Sequence, residues 1–445
     1  MKVAMSLFVL VLVGMIHEVG CAPPSARAAV SEDIRELIES ARGAPAPLCA
    51  FAARSVHNHW GGAEAPASLL GPSLGGRRRE RLRLTEEDVR YLLTSLDTPD
   101  PCVRELAVRL VARVDREEVV TGLLQRLTSA DSLLRMTAAF GLGIGEPRRA
   151  IDPLIQATKD QAAGVRANAV WALGRIEDPR AVPPATSLLT DRSSVVREAA
   201  AATLGHLEAR SSASSLSRLL RDDRVAGVRR TAAWALTQID GEDAVPEMSA
   251  ALQKDPDSSV REMCAWALGN LDRGETATAA LMAAAKRDQD EDVRETAVWS
   301  IGEHGDVSMS KGLGEVLETD RSRDVKSTAA WALGQMDLES APKGLIAALD
   351  DREAKVRLTA AWALGEIEDR AALPALRAAL TRETSKQVRK ALMRALIRSG
   401  EPAERLSRLL ESDDPEVRKT AIRAISGSSG LDPWPWPQPR PRPFP

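Results

Sequence analysis

An Arg or Lys that follows an aliphatic residue recurs at near-constant spacing along this chain, at Arg104, Arg135, Arg166, Arg197, Arg229, Arg261, Arg294, Lys326, Arg357, Arg389 and Arg418. The successive intervals are 31, 31, 31, 32, 32, 33, 32, 31, 32 and 29 residues. A period of this length has room for two short helices and two turns, the unit of an α-solenoid. The 445 residues therefore read as one elongated array rather than as two or three globular domains.

With the marker Arg or Lys taken as zero, the second helix of the unit has an aliphatic residue at −1 and Ala at +3 (Ala169, Ala232, Ala297, Ala360). Leu follows at +7 (Leu173, Leu236, Leu333, Leu364), and Ile, Leu or Met often stands at +10. At about 100° per residue these positions share one stripe, which must be buried. Aromatic residues make up only 3% of the chain against 44% hydrophobic, so the core they build is aliphatic. Gly recurs at +8 (Gly143, Gly174, Gly205, Gly269, Gly302, Gly334, Gly365). Inside a helix it costs ~1 kcal/mol relative to Ala, so its recurrence predicts close backbone contact there.

The run "VRLTAAWALGEIED" (356–369), echoed by "VRANAVWALGRIED" from Val165 and "VKSTAAWALGQMD" from Val325, resembles a HEAT repeat of the short bacterial type, related to the HEAT-like repeats of phycobilin lyases. The resemblance spans about residues 85–426. It implies an all-α, right-handed α-solenoid of about eleven helix-pair repeats.

An acidic residue stands six before most markers (Asp160, Asp191, Asp223, Asp255, Asp288, Asp320, Asp351, Glu383), at the turn between the two helices. There a carboxylate can accept hydrogen bonds from turn amides and face the arginines of adjacent repeats. The alternative is a charged binding strip, which the matching recurrence of both signs argues against.

Tryptophan occupies +5 in six repeats: Trp171, Trp234, Trp266, Trp299, Trp331 and Trp362. The other copies have Arg109, Phe140, Ala202, Arg394 and Arg423 there. Position +5 lies about 145° from the centre of the buried stripe. Two readings follow. In one, the six indoles form a partly exposed ladder along the concave side of the solenoid, about 10 Å apart, and bind a protein or peptide partner. In the other, each indole lies flat over its neighbour's helix and covers the Ala-rich seam. The flanking +1 and +9 positions mix Glu262, Glu295, Glu303 and Glu366 with Arg175, Arg230 and Lys390, so no single sign dominates the groove.

Catalytic apparatus is scarce. The close pair His57 and His59 has no acidic or Cys partner at ligand spacing, and "HEVGC" at His17 lacks the second His of a zinc protease motif. No phosphate loop, nucleophile elbow or dinucleotide fingerprint is present. Lys plus Arg (60) nearly balances Asp plus Glu (63), which gives no electrostatic footprint for nucleic acid. The expectation is a non-enzymatic scaffold with no cofactor and no metal. The rival is an enzyme or cofactor-holding accessory protein of phycobilin-lyase-like type using the same face.

The two ends differ from the array. Residues 1–28 read as an export signal: Lys2, an apolar run from Val3 to Ile16, then Ala26 and Ala28 as a small-x-small cleavage site. The protein is thus expected in the periplasm, cell envelope or outside the cell. A second reading makes Cys21, in "EVGC", a lipid-attachment site, although Glu18 stands where such sites take an aliphatic residue. Membrane association is expected only through Cys21 or the carboxyl-terminal tail. An oxidising compartment would let Cys49, Cys102 and Cys264 oxidise, with Cys49 to Cys102 one pairing among several. Residues 29–84 read as a degenerate helical cap followed by a Gly-, Pro- and Arg-rich loop, and Thr85 and Asp88 are spaced as a capping box. Residues 427–445 end in "LDPWPWPQPRPRPFP", whose alternating prolines demand extended polyproline II backbone.

Overall fold

The computed structural model describes residues 30–44, 84–239, 241–271 and 274–402, with residues 405, 415, 418, 419 and 422 beyond them. The export segment with Cys21, the residues Cys49, His57 and His59, most of the eleventh repeat and the Pro-rich tail lie outside the described residues. All regular structure among the described residues is helical. It forms two units, residues 1–207 and 208–445.

In the first unit, four helix pairs follow one another: Glu86–Ser95 with Pro101–Val111, Glu117–Leu127 with Ser132–Gly145, Ile151–Ala157 with Ala163–Ile176, and Val182–Leu188 with Ser194–His206. The two helices of each pair touch, and successive second helices pack side by side. This is the repeating contact of an α-solenoid. A further helix, Glu32–Ala41, packs on Pro101–Val111 and buries Ile38 and Ala41. Thr85 and Asp88 do form a capping box. The Asp88 carboxylate also accepts the Ser31 amide at 2.7 Å and the Ser31 hydroxyl at 2.6 Å, which ties the cap helix to the first repeat.

The second unit holds six described pairs: Ala213–Asp222 with Ala226–Gln238, Val245–Lys254 with Ser258–Asn270, Glu275–Arg287 with Glu291–His304, Ser310–Thr319 with Arg323–Gln335, Lys343–Ala347 with Ala354–Ile367, and Leu373–Arg382 with Lys386–Arg398. Here too the second helices pack in succession. The stripe expected from the wheel is the core in both units: Ala169, Leu173, Ala232, Leu236, Ala297, Leu333, Ala360 and Leu364 have no measurable exposure.

The motif that closes each second helix can be decoded residue by residue. In "ALGRIED" and "ALGEIED" the Glu at +11 (Glu177, Glu368) adopts the left-handed conformation that stops the helix. The next residue (Asp178, Asp369) then accepts a backbone amide of the short 3-10 turn that opens the following repeat. Gly305 takes the same left-handed position in its repeat and Asp306 the same cap.

Gly334 shows why +8 excludes a side chain. A β-carbon placed there would lie 2.9 Å from the Ala363 α-carbon and 2.6 Å from the Trp362 ring. The backbone of one second helix thus rests on the next, as the recurrence of Gly predicted.

Candidate protein-binding face

The polar ladder joins repeats to one another. In the first unit Arg135 grips Asp160 and Arg166 grips Asp191 through paired Nε and Nη2 donors at 2.7 to 2.9 Å. The second unit repeats the arrangement at Arg229–Asp255, Arg261–Asp288, Arg294–Asp320 and Arg357–Glu383. Lys326, with one ammonium in place of the guanidinium fork, gives Asp351 a bond of 2.8 Å. Each carboxylate belongs to the repeat after its Arg. The third nitrogen, Nη1, donates to the carbonyl of the arginine's own turn, as from Arg166 to Asp160 and from Arg294 to Asp288. The carboxylates meanwhile accept turn amides two residues on, as Asp160 does from Ala162 and Asp191 from Ser193.

These pairs are buried or nearly so: the side chains of Arg294 and Asp320 are 5% and 7% exposed. The Arg135 and Arg357 bonds hold Asp160 and Glu383 below the ordinary carboxylate range. At Asp191, Asp288 and Asp351 burial pushes upward, yet hydrogen bonds from Arg166, Arg261 and Lys326, with the turn amides, bring the carboxyls below it as well. The ladder is a set of inter-repeat staples, the structural one of the two readings.

The tryptophans divide into two groups. Trp234, Trp331 and Trp362 are buried, at 3%, 4% and 8% exposure. Trp171, Trp266 and Trp299 are half-buried. Of the two readings, the partly exposed ladder fits Trp171, Trp266 and Trp299, and the expected exposure is corrected at Trp234, Trp331 and Trp362. The cause is a contact that a single helical wheel does not contain. Trp331 lies on Gly302 and Trp362 on Gly334, each indole seated on the +8 glycine of the preceding repeat.

Where that seat is lost, the indole stays more open. Trp266 is preceded at +8 by Thr237 rather than Gly. Before Trp299, the space over Gly269 is taken by Ser300, whose hydroxyl donates to the buried Ala265 carbonyl at 2.9 Å. Trp171 does lie on Gly143, but only Ala202 follows it at +5. The distance between rings departs from about 10 Å as well: Phe140 and Trp171, at +5 of successive repeats, stack with centroids 5.4 Å apart.

Residues at +1, +5 and +9 are four apart and so form rows along one side of each second helix. Two adjacent rows are acidic and aromatic: Glu262, Trp266, Asn270, then Glu295, Trp299, Glu303. Asn270 and Glu303 are exposed, and the other four are half-buried. The rows on either side differ, being Arg230, Trp234, Gln238 before and Ser327, Trp331, Gln335 after. The mixture of signs seen over the whole array thus resolves locally into one acidic stretch with two accessible indoles. Sequence reasoning missed this because it pooled all repeats.

Cysteines and metals add little to this face. Cys264 is free and buried, and burial holds its thiol above the ordinary value. Cys102 is disulfide-bonded, and its partner lies outside the described residues. Among the described residues no three His, Cys, Asp or Glu are grouped to hold a metal ion, and no helix is long and apolar enough to cross a membrane.

No curated protein matches the chain. Solved structures do. The fold resembles importin beta, with a TM-score of 0.57 at 15% identity over 88% of this chain and 61% of that one. It also resembles Kap121p, with a TM-score of 0.53 at 16% identity over 89% of this chain. The match spans 49% of Kap121p, about half of its length. The CpcE–CpcF phycocyanin lyase complex from Nostoc sp. PCC7120 is similar at 24% identity over 51% of this chain and 91% of that one, with a TM-score of 0.34. A model of HEAT repeats matches residues 151–236, 224–302 and 310–397, more than half of the sequence, and the chain belongs to the HEAT repeat family.

Proposed function

We propose that the protein is an exported, non-enzymatic scaffold that binds a protein or peptide partner along the outward rows of its second helices. The observation that carries this reading is the pair of rows around Trp266 and Trp299. Half-buried indoles give large contact area with few torsions to freeze, and flanking carboxylates supply polar specificity. The buried Trp331 and Trp362 serve the array by covering its glycine seam. Kap121p, whose fold this one resembles, has been solved bound to Ste12p, so repeats of this architecture accommodate a protein ligand. Export is supported by the amino-terminal pattern and by the disulfide at Cys102, a bond that persists in oxidising compartments.

The test uses the full chain immobilised against an envelope extract. A partner retained by the parent should be lost by Trp266→Ala with Trp299→Ala, while the variant keeps the parent's helical circular dichroism and melts above Trp331→Ala with Trp362→Ala, which removes two buried rings. Binding that survives in the double variant would remove these rows from the interface. For localisation, amino-terminal sequencing of the purified protein should find a start near Ala29. An intact Met1 would end the export reading, and a diacylated Cys21 would replace cleavage after Ala28 with lipid anchoring.

A further inference from the structure

The acidic rows have a complement within the same chain. The carboxyl-terminal segment "LDPWPWPQPRPRPFP" carries Arg440 and Arg442 and no acidic residue after Asp432. From the sequence, its alternating prolines predict a polyproline II backbone, which has three residues and about 9.3 Å per turn. Packed helices are spaced 8 to 10 Å apart, so one turn of such a chain advances by about one repeat. Residues three apart therefore face successive second helices. One edge of the segment presents Trp434, Pro437, Arg440 and Pro443, and the next presents Trp436, Pro439, Arg442 and Pro445.

Each edge supplies a proline ring and an arginine at the spacing at which the second unit supplies Trp266 and Trp299 with Glu262, Glu295 and Glu303. Proline rings pack on indole faces, and a guanidinium is recognised by carboxylates and by indole faces alike. No other two adjacent described rows of the second unit offer both. The Ser327 and Leu358 rows lack the paired acids, and Lys390, Arg394 and Arg398 would repel the arginines. Residues 427–445, fully extended in this conformation, span about 59 Å.

We propose that the stretch of the tail from Pro437 to Pro443 docks at the rows of Trp266 and Trp299 in the same molecule, prolines on the indoles and Arg440 and Arg442 beside Glu262, Glu295 and Glu303. This rests on the reading of those rows as a binding face. It makes the tail an internal competitor that an external partner must displace.

The experiment places a photo-cross-linking residue at the tail of the full chain, as Phe444→p-benzoylphenylalanine, and maps the products by mass spectrometry after irradiation. The expected products join the tail to peptides from Ser258–Asn270 and Glu291–His304, with a yield unchanged on dilution. Arg440→Glu with Arg442→Glu should lower that yield roughly tenfold, a modest loss of binding free energy, and Glu262→Lys with Glu295→Lys in the same chain should restore it. The tail substitutions leave every described helix untouched, so their result stands even if the helix variant melts lower.

Cross-links to other helices, products only between chains, or a yield indifferent to both charge reversals would overturn the proposal. If the tail fails this test while Trp266→Ala with Trp299→Ala still loses its partner, the scaffold reading survives without an internal ligand. If the tail docks as expected and that double variant keeps its partner, the face serves the tail alone and the scaffold's partner site lies elsewhere.

Discussion

The first unit and the second share their inward chemistry and differ in their outward chemistry. Arg166–Asp191 in the first and Arg294–Asp320 in the second are the same staple, with the same three donors on the same acceptors. Leu173 and Leu333 are equally buried. On the outward side the first unit offers Arg109, Phe140, Trp171 and Ala202 at +5, with Leu133 and Val195 exposed at −2. The second offers an unbroken run of five tryptophans from Trp234 to Trp362 and two acidic rows. Positions that must meet the next repeat are held constant, and positions that meet solvent are free to diverge. Function is therefore to be sought where the units differ.

Acid should erase the shared part of this comparison first. The carboxyls of Asp160 and Asp191 in the first unit, and of Asp288, Asp351 and Glu383 in the second, sit below their ordinary values in the folded chain. A depressed folded value means that the unfolded chain binds protons more readily. The staples' stabilisation is thus fully present above about pH 4, the ordinary carboxylate value, and is lost as pH falls through the lower folded values. Thermal melts should be nearly flat from neutral pH to about pH 5 and fall steeply below about pH 4. A melt that declines first near neutral pH would show that other groups govern the fold.

Removing one partner of a staple is expected to have the next largest effect. Arg294→Ala leaves Asp320 buried without its guanidinium and should cost about 3 to 5 kcal/mol. Arg166→Ala in the first unit should cost a similar amount. Replacing both partners, as Arg294→Met with Asp320→Leu, should come much closer to neutral, because the penalty lies in the orphaned charge rather than in the loss of a strong attraction. Denaturant titration of the three variants checks the equality and the rescue. Unequal costs for Arg166→Ala and Arg294→Ala would break the equivalence of the two units.

The tryptophans test the outward half. Trp331→Ala removes a buried ring from its seat on Gly302 and should cost about 3 to 5 kcal/mol, as large aromatic truncations in a core do. Trp299→Ala removes a half-buried ring and should cost roughly half of that or less. Equal losses in denaturant melts would mean that Trp299 is cladding too, leaving Glu295 and Glu303 without an accessible indole in their own row.

Much of this was legible in the sequence for a definite reason. The Leu and Ala stripe, the Gly at +8 and the Arg–Asp register are each set by one helix or by the period, and a period can be counted. Which tryptophans lie over a neighbouring helix and which stay open was not legible, because it depends on how far one second helix is offset against the last. The signal was nonetheless present as a set: Gly at +8 followed one repeat later by Trp at +5 and Ala at +6 seats the indole, whereas Ser300 at +6 beside Trp299 and Thr237 before Trp266 each deny it a seat. The left-handed Glu at +11 was overlooked because Glu is an unusual residue for that conformation.

That last position yields the smallest effect and a comparison of one site between the two units. Glu146, Glu177, Glu208 and Glu368 have positive φ where Gly305 and Gly400 occupy the same site. A residue with a β-carbon pays roughly 1 to 2 kcal/mol for the left-handed region, offset in part by the greater freedom glycine loses on folding. Glu368 also accepts Arg398 of the next repeat at 3.2 Å, an exposed pair that contributes ~0 to 1 kcal/mol. Glu177→Gly should therefore raise stability by about 0.5 to 1 kcal/mol, Glu368→Gly should gain less because the pair is lost, and Gly305→Ala should lose about 1 kcal/mol. Denaturant melts that rank Glu368→Gly above Glu177→Gly would show that the Arg398 pair stabilises nothing. A loss of stability on Glu177→Gly would show that the glutamates at +11 are retained for a contact rather than tolerated in spite of strain.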